Sequence, residues 1–291
     1  MLYLLLLLSV AYSTPVYLNL DQWNCPAASR IGPLSFLTDK AIYDPGYPKF
    51  PWISANCTSL DIVGNSLDDV TIKCNGGNMK YRGDLYVIDT FYLSYSTNSK
   101  VLGSNHAMNE QKFIGELYFK GGLSYFNSFF LTEVEDTEPT FFTEMFPNMS
   151  GTMNYVNGTI LAGSTDSTKI LEALKKYLDT SLYYAYTGTW IRENCPSQLF
   201  YHLFYAPLKI TKTQMKYLRS YNSPVQNMFR PLQPNSNVTF YKNFNVEPTT
   251  MAPLETTVGT QDPQSGAMTV GREFLFTLPA TLLLYLTQFL L

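Results

Sequence analysis

The chain has 291 residues, with 20 lysines and arginines against 23 aspartates and glutamates and a formal net charge of −3. Apolar residues make up 45% and charged residues 15%, which supports a packed core. That balance excludes a protein whose main work is gripping nucleic-acid phosphates.

Residues 1–10 are almost wholly apolar and lead into Ala11-Tyr12-Ser13. A short apolar core ending in small residues reads as a secretory signal over residues 1–13, too short to span a bilayer. From about residue 20 to 243, short β-branched and aromatic runs between Gly, Asn and Pro turns predict strands near 70–74, 85–95, 112–119, 199–205 and 238–241. The run Leu85-Tyr86-Val87-Ile88 is continuously apolar, as a strand covered on both faces would be. One helix is predicted after the cap Ser167-Thr168. It would turn Ile170, Leu171, Leu174 and Leu178 inward and leave Lys169, Glu172, Lys175 and Lys176 as a solvated face.

Towards the end the composition shifts to threonine and proline, so 244–264 reads as an extended stalk. Ser265-Gly266-Ala267, a spacer at 268–274 and an apolar tail at 275–291 form the pattern of a glycosylphosphatidylinositol (GPI) attachment signal, with Ser265 as the anchored residue. A single transmembrane helix is the alternative; it usually carries cytoplasmic Lys or Arg, and none follows Leu291. Sequons at Asn56, Asn148, Asn157 and Asn237 fit the same compartment. The four cysteines, Cys25, Cys57, Cys74 and Cys195, point to two disulfides, and arithmetic alone leaves three pairings open.

A set of short motifs runs through the middle of the chain. In order they include Gly76-Gly77, Phe91-Tyr92-Leu93-Ser94-Tyr95, Gly103-Ser104-Asn105-His106, Glu116-Leu117-Tyr118, the segment 181–189, the segment 206–215 and Arg230-Pro231-Leu232-Gln233-Pro234. Arg30-Ile31-Gly32-Pro33 and Asp44-Pro45 are weaker echoes near the start. Together they resemble the motifs of α-class carbonic anhydrases: G-G, F-H-x-H-W, G-S-E-H, E-L-H, S-L-x-Y-x-Y-x-G-S, E-P-I-x-I-S-x-x-Q-L and R-P-x-Q-P. The resemblance implies a mainly β (α+β) single domain at 20–243, built around a large, mostly antiparallel twisted sheet with few short helices. Its site would lie at the bottom of a cone reaching the central strands. The resemblance also implies a Cys25–Cys195 disulfide, which leaves Cys57 to join Cys74. The stretch between Gly121 and Thr168 aligns poorly and is expected to hold altered loops.

In that family three histidines hold a zinc ion that brings bound water to a pKa of about 7. Here their positions are Tyr92, Ser94 and Tyr118, and the whole chain has only two histidines, His106 and His202. A tyrosine hydroxyl must lose a proton at a pKa of about 10 before it binds metal well. The threonine pair that orients zinc-bound hydroxide corresponds to Ile191-Arg192, its acidic partner to Asn105, and a carbon dioxide pocket residue to Lys120. The resemblance therefore implies a pseudoenzyme with no zinc or other cofactor. His106 is expected to be a hydrogen-bonded structural residue and His202 a packing or surface one. Glu116 and Asp89 are read as solvated or structurally paired carboxylates, not as an acid/base pair.

Relatives without the zinc ligands serve as ectodomains of receptor phosphatases and as a poxvirus envelope protein. By that likeness the domain is expected to be a binding or adhesion module on the outer face of the plasma membrane, held by its GPI lipid, with no nucleic acid involved. Its partner would be an extracellular protein or, through Lys209, Lys212, Lys216 and Arg219, a sulfated glycan. Residual hydratase or esterase activity at an atypical metal site is the alternative, and a structural surface-coat glycoprotein a third reading.

Overall fold

The computed structural model describes residues 31–47, 54–64, 70–81, 84–121, 125–151, 160–163, 170–177, 182–189, 198–221, 227–233 and 238–245. The chain separates into residues 1–258 and 259–291, and the second unit falls wholly outside the described residues. So do the signal segment, Cys25, Cys195, Ile191, Arg192, Asn157, Asn237 and Ser265.

The strands are β1 (Ser35–Phe36), β2 (Ile42–Tyr43), β3 (Ser54–Asn56), β4 (Ser59–Gly64), β5 (Val70–Asn75), β6 (Asn78–Tyr81), β7 (Asp84–Val87) and β8 (Thr90–Tyr95). Next come β9 (Ala107–Met108), β10 (Gln111–Lys112), β11 (Gly115–Gly121), β12 (Tyr125–Val134) and α1 (Phe141–Met145). The last are β13 (Ile160–Gly163), α2 (Ile170–Tyr177), β14 (Tyr183–Gly188), β15 (Leu199–Thr211), α3 (Lys212–Arg219) and β16 (Tyr241–Lys242). Ten strands form one sheet in the order β13-β4-β5-β8-β11-β12-β15-β14-β16-β2, flanked by the small sheets β1-β9-β10 and β3-β6-β7. In the large sheet every neighbouring pair is antiparallel except β12–β15 and β16–β2.

Strand alternation divides the core in two. Phe91, Leu93, Leu117, Phe119, Phe129 and Leu131 pack on one face with α1, Ala173 and Leu174 of α2, and Met215 and Leu218 of α3. Tyr118, Phe126, Phe130, Tyr184, Tyr186 and Tyr201 pack on the other. Two family-like glycines have a steric reason: a Cβ on Gly103 would run into the backbone of Tyr95, and one on Gly77 into Ile88 O and Cys74 Sγ. Cys57 and Cys74 are bonded, with Cα atoms 5.3 Å apart and a sequence separation of 17. Closing a loop of that size stabilises by about 3 kcal/mol.

Several expectations need correction. The run 85–95 is two strands in two sheets; Ile88 and Asp89 carry the chain across, bonded to Gly77 O at 3.1 Å and Cys74 N at 2.8 Å. Nor is its first half covered on both faces, because Leu85 is 72% and Val87 73% exposed at the end of a three-stranded sheet. The run 112–119 breaks at Phe113-Ile114, between β10 and β11. The run 199–205 extends to Thr211, and that at 238–241 is strand only from Tyr241. The poorly matching stretch after Gly121 contributes β12, a ten-residue strand at the sheet's centre, as well as loops. Phe244, placed at the head of the stalk, is 6% exposed and lies edge-on to Tyr184, with ring centroids 5.2 Å apart, so it belongs to the core.

Helix α2 is where the pattern placed it, with Ala173 and Leu174 buried and Glu172, Lys175 and Lys176 exposed. A further helix, α3, follows β15 directly, and its capping box, Thr211 and Gln214 bonding each other's backbone amides, is written in the sequence as T-x-x-Q.

Candidate functional site

The floor of the site is the pairing of β8 with β11, which sets Tyr92 opposite Tyr118 and Ser94 opposite Glu116. Two-residue spacing on each strand turns all four side chains to one face. The strands thus bring Tyr92, Ser94 and Tyr118 together as the resemblance required. The rings of Tyr92 and Tyr118 stack with centroids 5.4 Å apart and planes 19° from parallel. Tyr118 stacks in turn on Phe126 at 5.1 Å, Phe126 meets Tyr201 at 4.3 Å, and Tyr201 stacks on Tyr186 at 4.5 Å. Aromatic side chains run without a break from half-buried Tyr92 into the core.

As a zinc site this floor offers only hydroxyl donors at the three ligand positions. Burial, then the charges of Glu116 and Tyr92, push the Tyr118 hydroxyl well above the ordinary tyrosine range; Asn105 and Arg230 pull it back less. A hydroxyl that holds its proton this firmly is a poor metal ligand. Ser94 Oγ is turned to Glu116 O, 3.4 Å away. The three hydroxyls do not fit a zinc ion, and among the described residues no group of three or more His, Cys, Asp or Glu could hold a metal.

Two residues before Tyr118 the same strand face carries a different device. Glu116 is fully buried and accepts from the His106 backbone amide at 2.8 Å, from Ser128 Oγ, and from His106 Nδ1 at 2.8 Å. Burial raises its pKa, but His106 by charge and hydrogen bond, then Ser128 and the amide, outweigh that and leave it below the ordinary carboxylate value. An ionised carboxylate only accepts, so Nδ1 of His106 is the donor. Nε2 meets the Tyr186 hydroxyl at 2.8 Å. The Tyr186 hydroxyl is itself pushed far up by burial and then by the charges of Tyr201 and Glu116, so it keeps its proton. His106 is therefore the structural histidine the motif implied. Asp89 is exposed and takes no part, so Glu116 and Asp89 form no acid/base pair.

Asn105, at the position of the family's acidic gate partner, is 1% exposed and accepts from the Arg230 amide at 2.9 Å. His202 is also buried, with Nδ1 3.2 Å from Asn127 Oδ1 and its ring against Tyr125 and Tyr183. Adjacent residues Tyr201 and His202 point to opposite faces of β15, which keeps the two histidines in separate cores.

The four basic residues lie on β15 and α3, and three of them face acids on β12 and the turn after it. Lys209 pairs with Glu138 at 2.8 Å, Lys212 with Glu135, and Arg219 with Glu133 at 3.3 Å. Asp136 accepts from the Thr213 amide and hydroxyl at the start of α3. Lys216 is exposed. The lysine cluster read from sequence is a mixed-charge surface. Of the sequons, Asn148 is exposed in a turn and position 56 ends β3. A groove of about 300 Å³ lies apart from Tyr92 and Tyr118, between Leu37, Lys40, Ile42, Val238, Thr239 and Phe240 at the β2 edge.

A ten-stranded mixed sheet whose two central antiparallel strands present three side chains at one floor defines a carbonic anhydrase-like protein. The sequence model of eukaryotic-type carbonic anhydrases matches residues 19–244, and the chain belongs to that family. The solved structure of dioscorin complexed with ascorbate shares the fold at a TM-score of 0.59 and 16% identity, over 75% of this chain and 87% of that one. Identity so low speaks to fold alone. Comparison with curated protein sequences gave no match.

Proposed function

We propose that this family member does not hydrate carbon dioxide and acts as a recognition module, displayed on the outer face of the plasma membrane by a GPI lipid. The observation that supports this most is the stack of Tyr92 on Tyr118, with ring centroids 5.4 Å apart, which puts two aromatic rings at positions that correspond to zinc-binding histidines of the family. The Tyr118 hydroxyl, held protonated by burial, supplies neither a metal ligand nor a nucleophile at neutral pH. The oriented pair Glu116–His106 is no substitute, since both side chains are sealed at 0% exposure.

An extracellular protein fits as partner better than a sulfated glycan. Three of the four clustered cations are already paired with carboxylates, and a polyanion would have to displace those acids or meet their repulsion. Large apolar side chains stand exposed at Leu37, Ile42 and Tyr43 along the β2 edge, the kind of surface that protein partners cover. The test is saturable binding of the labelled ectodomain to cells. Binding that persists at raised ionic strength and after heparin-lyase treatment, yet disappears when the cells are first treated with protease, supports a protein partner. Loss on lyase treatment alone would transfer the role to a glycan, and absence of saturable binding would remove the recognition reading.

A further inference from the structure

Among the described residues, the most exposed large apolar side chains are Leu85 at 72% and Val87 at 73%, both on β7. Between them Tyr86 turns inward, edge-on to Tyr125 with ring centroids 5.6 Å apart, and its cross-strand partner Met79 is fully buried. The cross-strand rows follow from the backbone register. Val87 pairs with Asn78, which pairs with Asn56; Leu85 pairs with Lys80, which pairs with Ser54. Positions in one cross-strand row share a face of the sheet. Among the described residues β7 is the last strand of that sheet, so leucine and valine project from an edge, the arrangement most prone to adding a further chain.

Position 56 opens the sequon Asn56-Cys57-Thr58. It lies two strand spacings from Val87, about 10 Å. The next residue, Cys57, is bonded to Cys74 of β5, which ties this end of the small sheet to the large one. Asn148, by contrast, stands in an exposed turn that belongs to neither sheet.

We propose that an N-linked glycan on Asn56 lies across β6 and covers Leu85 and Val87, so that a sugar shields this edge. The carbon-bound hydrogens of its pyranose rings would rest on the two apolar side chains while its hydroxyls face water. The bulk of the glycan would also keep other strands from β7. The inference rests on passage through the secretory pathway and is independent of whether catalysis is lost.

The test uses the full chain secreted from eukaryotic cells and released from its lipid. Glycopeptide mass spectrometry should find Asn56 occupied. Removing glycans from the folded protein with peptide N-glycosidase, or making Asn56→Gln, should raise binding of a hydrophobic dye several-fold and shift the protein to dimers or larger species in light scattering. Adding Leu85→Thr and Val87→Thr to Asn56→Gln should return both readings to the parent's, and Asn148→Gln should change neither. The enzymatic route keeps the test decisive if Asn56→Gln fails to be secreted. An unmodified Asn56, or a deglycosylated protein matching the parent in dye binding and size, would overturn the proposal. So would a fully glycosylated parent that dimerises through β7.

Discussion

Glu116 and Tyr118 sit two residues apart on the same face of β11, yet their side chains are held in opposite ways. Around Glu116 carboxylate, imidazole, tyrosine and serine satisfy one another inside a sealed core. Around Tyr118 the same strands hold three hydroxyls and a stack of rings. The difference separates what folding demands from what catalysis demands. A buried carboxylate needs partners whether or not any reaction follows, because leaving it unpaired destabilises the fold. Nothing in folding demands an imidazole at position 92 or 118, where an aromatic ring fills the space as well.

The sharpest way to break this comparison is to remove one partner on the Glu116 side. His106→Ala leaves the carboxylate buried without its main donor and should cost about 3–5 kcal/mol in urea unfolding. A loss below 1 kcal/mol would show that the network is dispensable. Next in size is an acid effect. Because the folded pKa of Glu116 lies below its ordinary value of 4.5, the network's stabilisation is present above that value. It is lost as pH falls through 4.5 towards the lower folded pKa. Glu116→Gln should flatten that acid limb while lowering stability at neutral pH; an unchanged limb would contradict the assignment.

On the Tyr118 side the dependence should be on volume. Tyr118→Ala should cost about 3–5 kcal/mol through the cavity it leaves, whereas Tyr118→Phe, which keeps the ring, should stay within about 1 kcal/mol of the parent. Equal losses would mean that the hydroxyl matters more than the packing. The smallest effect belongs to the surface: Lys212→Ala, which breaks the exposed pair with Glu135, should change stability by less than about 1 kcal/mol.

Much of the architecture was legible because motif residues do steric and hydrogen-bonding work. Gly103 passes against Tyr95, His106 spans Glu116 and Tyr186, and Arg230 meets Asn105 through its backbone. The floor was legible too, since two-residue periodicity fixes which side chains of 92, 94, 116 and 118 share a face. What escaped was set by tertiary neighbours. The apolar run at 85–88 reads as a buried strand, but burial depends on what lies beside it, and among the described residues β7 has a strand on one side only. The cation cluster looked like an anion site because its acids, at 133–138, lie some seventy to ninety residues earlier in the chain and meet it only through the β12–β15 pairing and α3. The extent of β15 and the position of β12 were likewise decided by pairing more than by local composition.

The most direct test is to equilibrate the purified, folded protein with zinc, remove free metal, and measure bound zinc alongside carbon dioxide hydration. The account predicts far less than one zinc per chain and hydration no faster than the buffer blank. One tightly held zinc per chain, with hydration abolished by a sulfonamide, would contradict it.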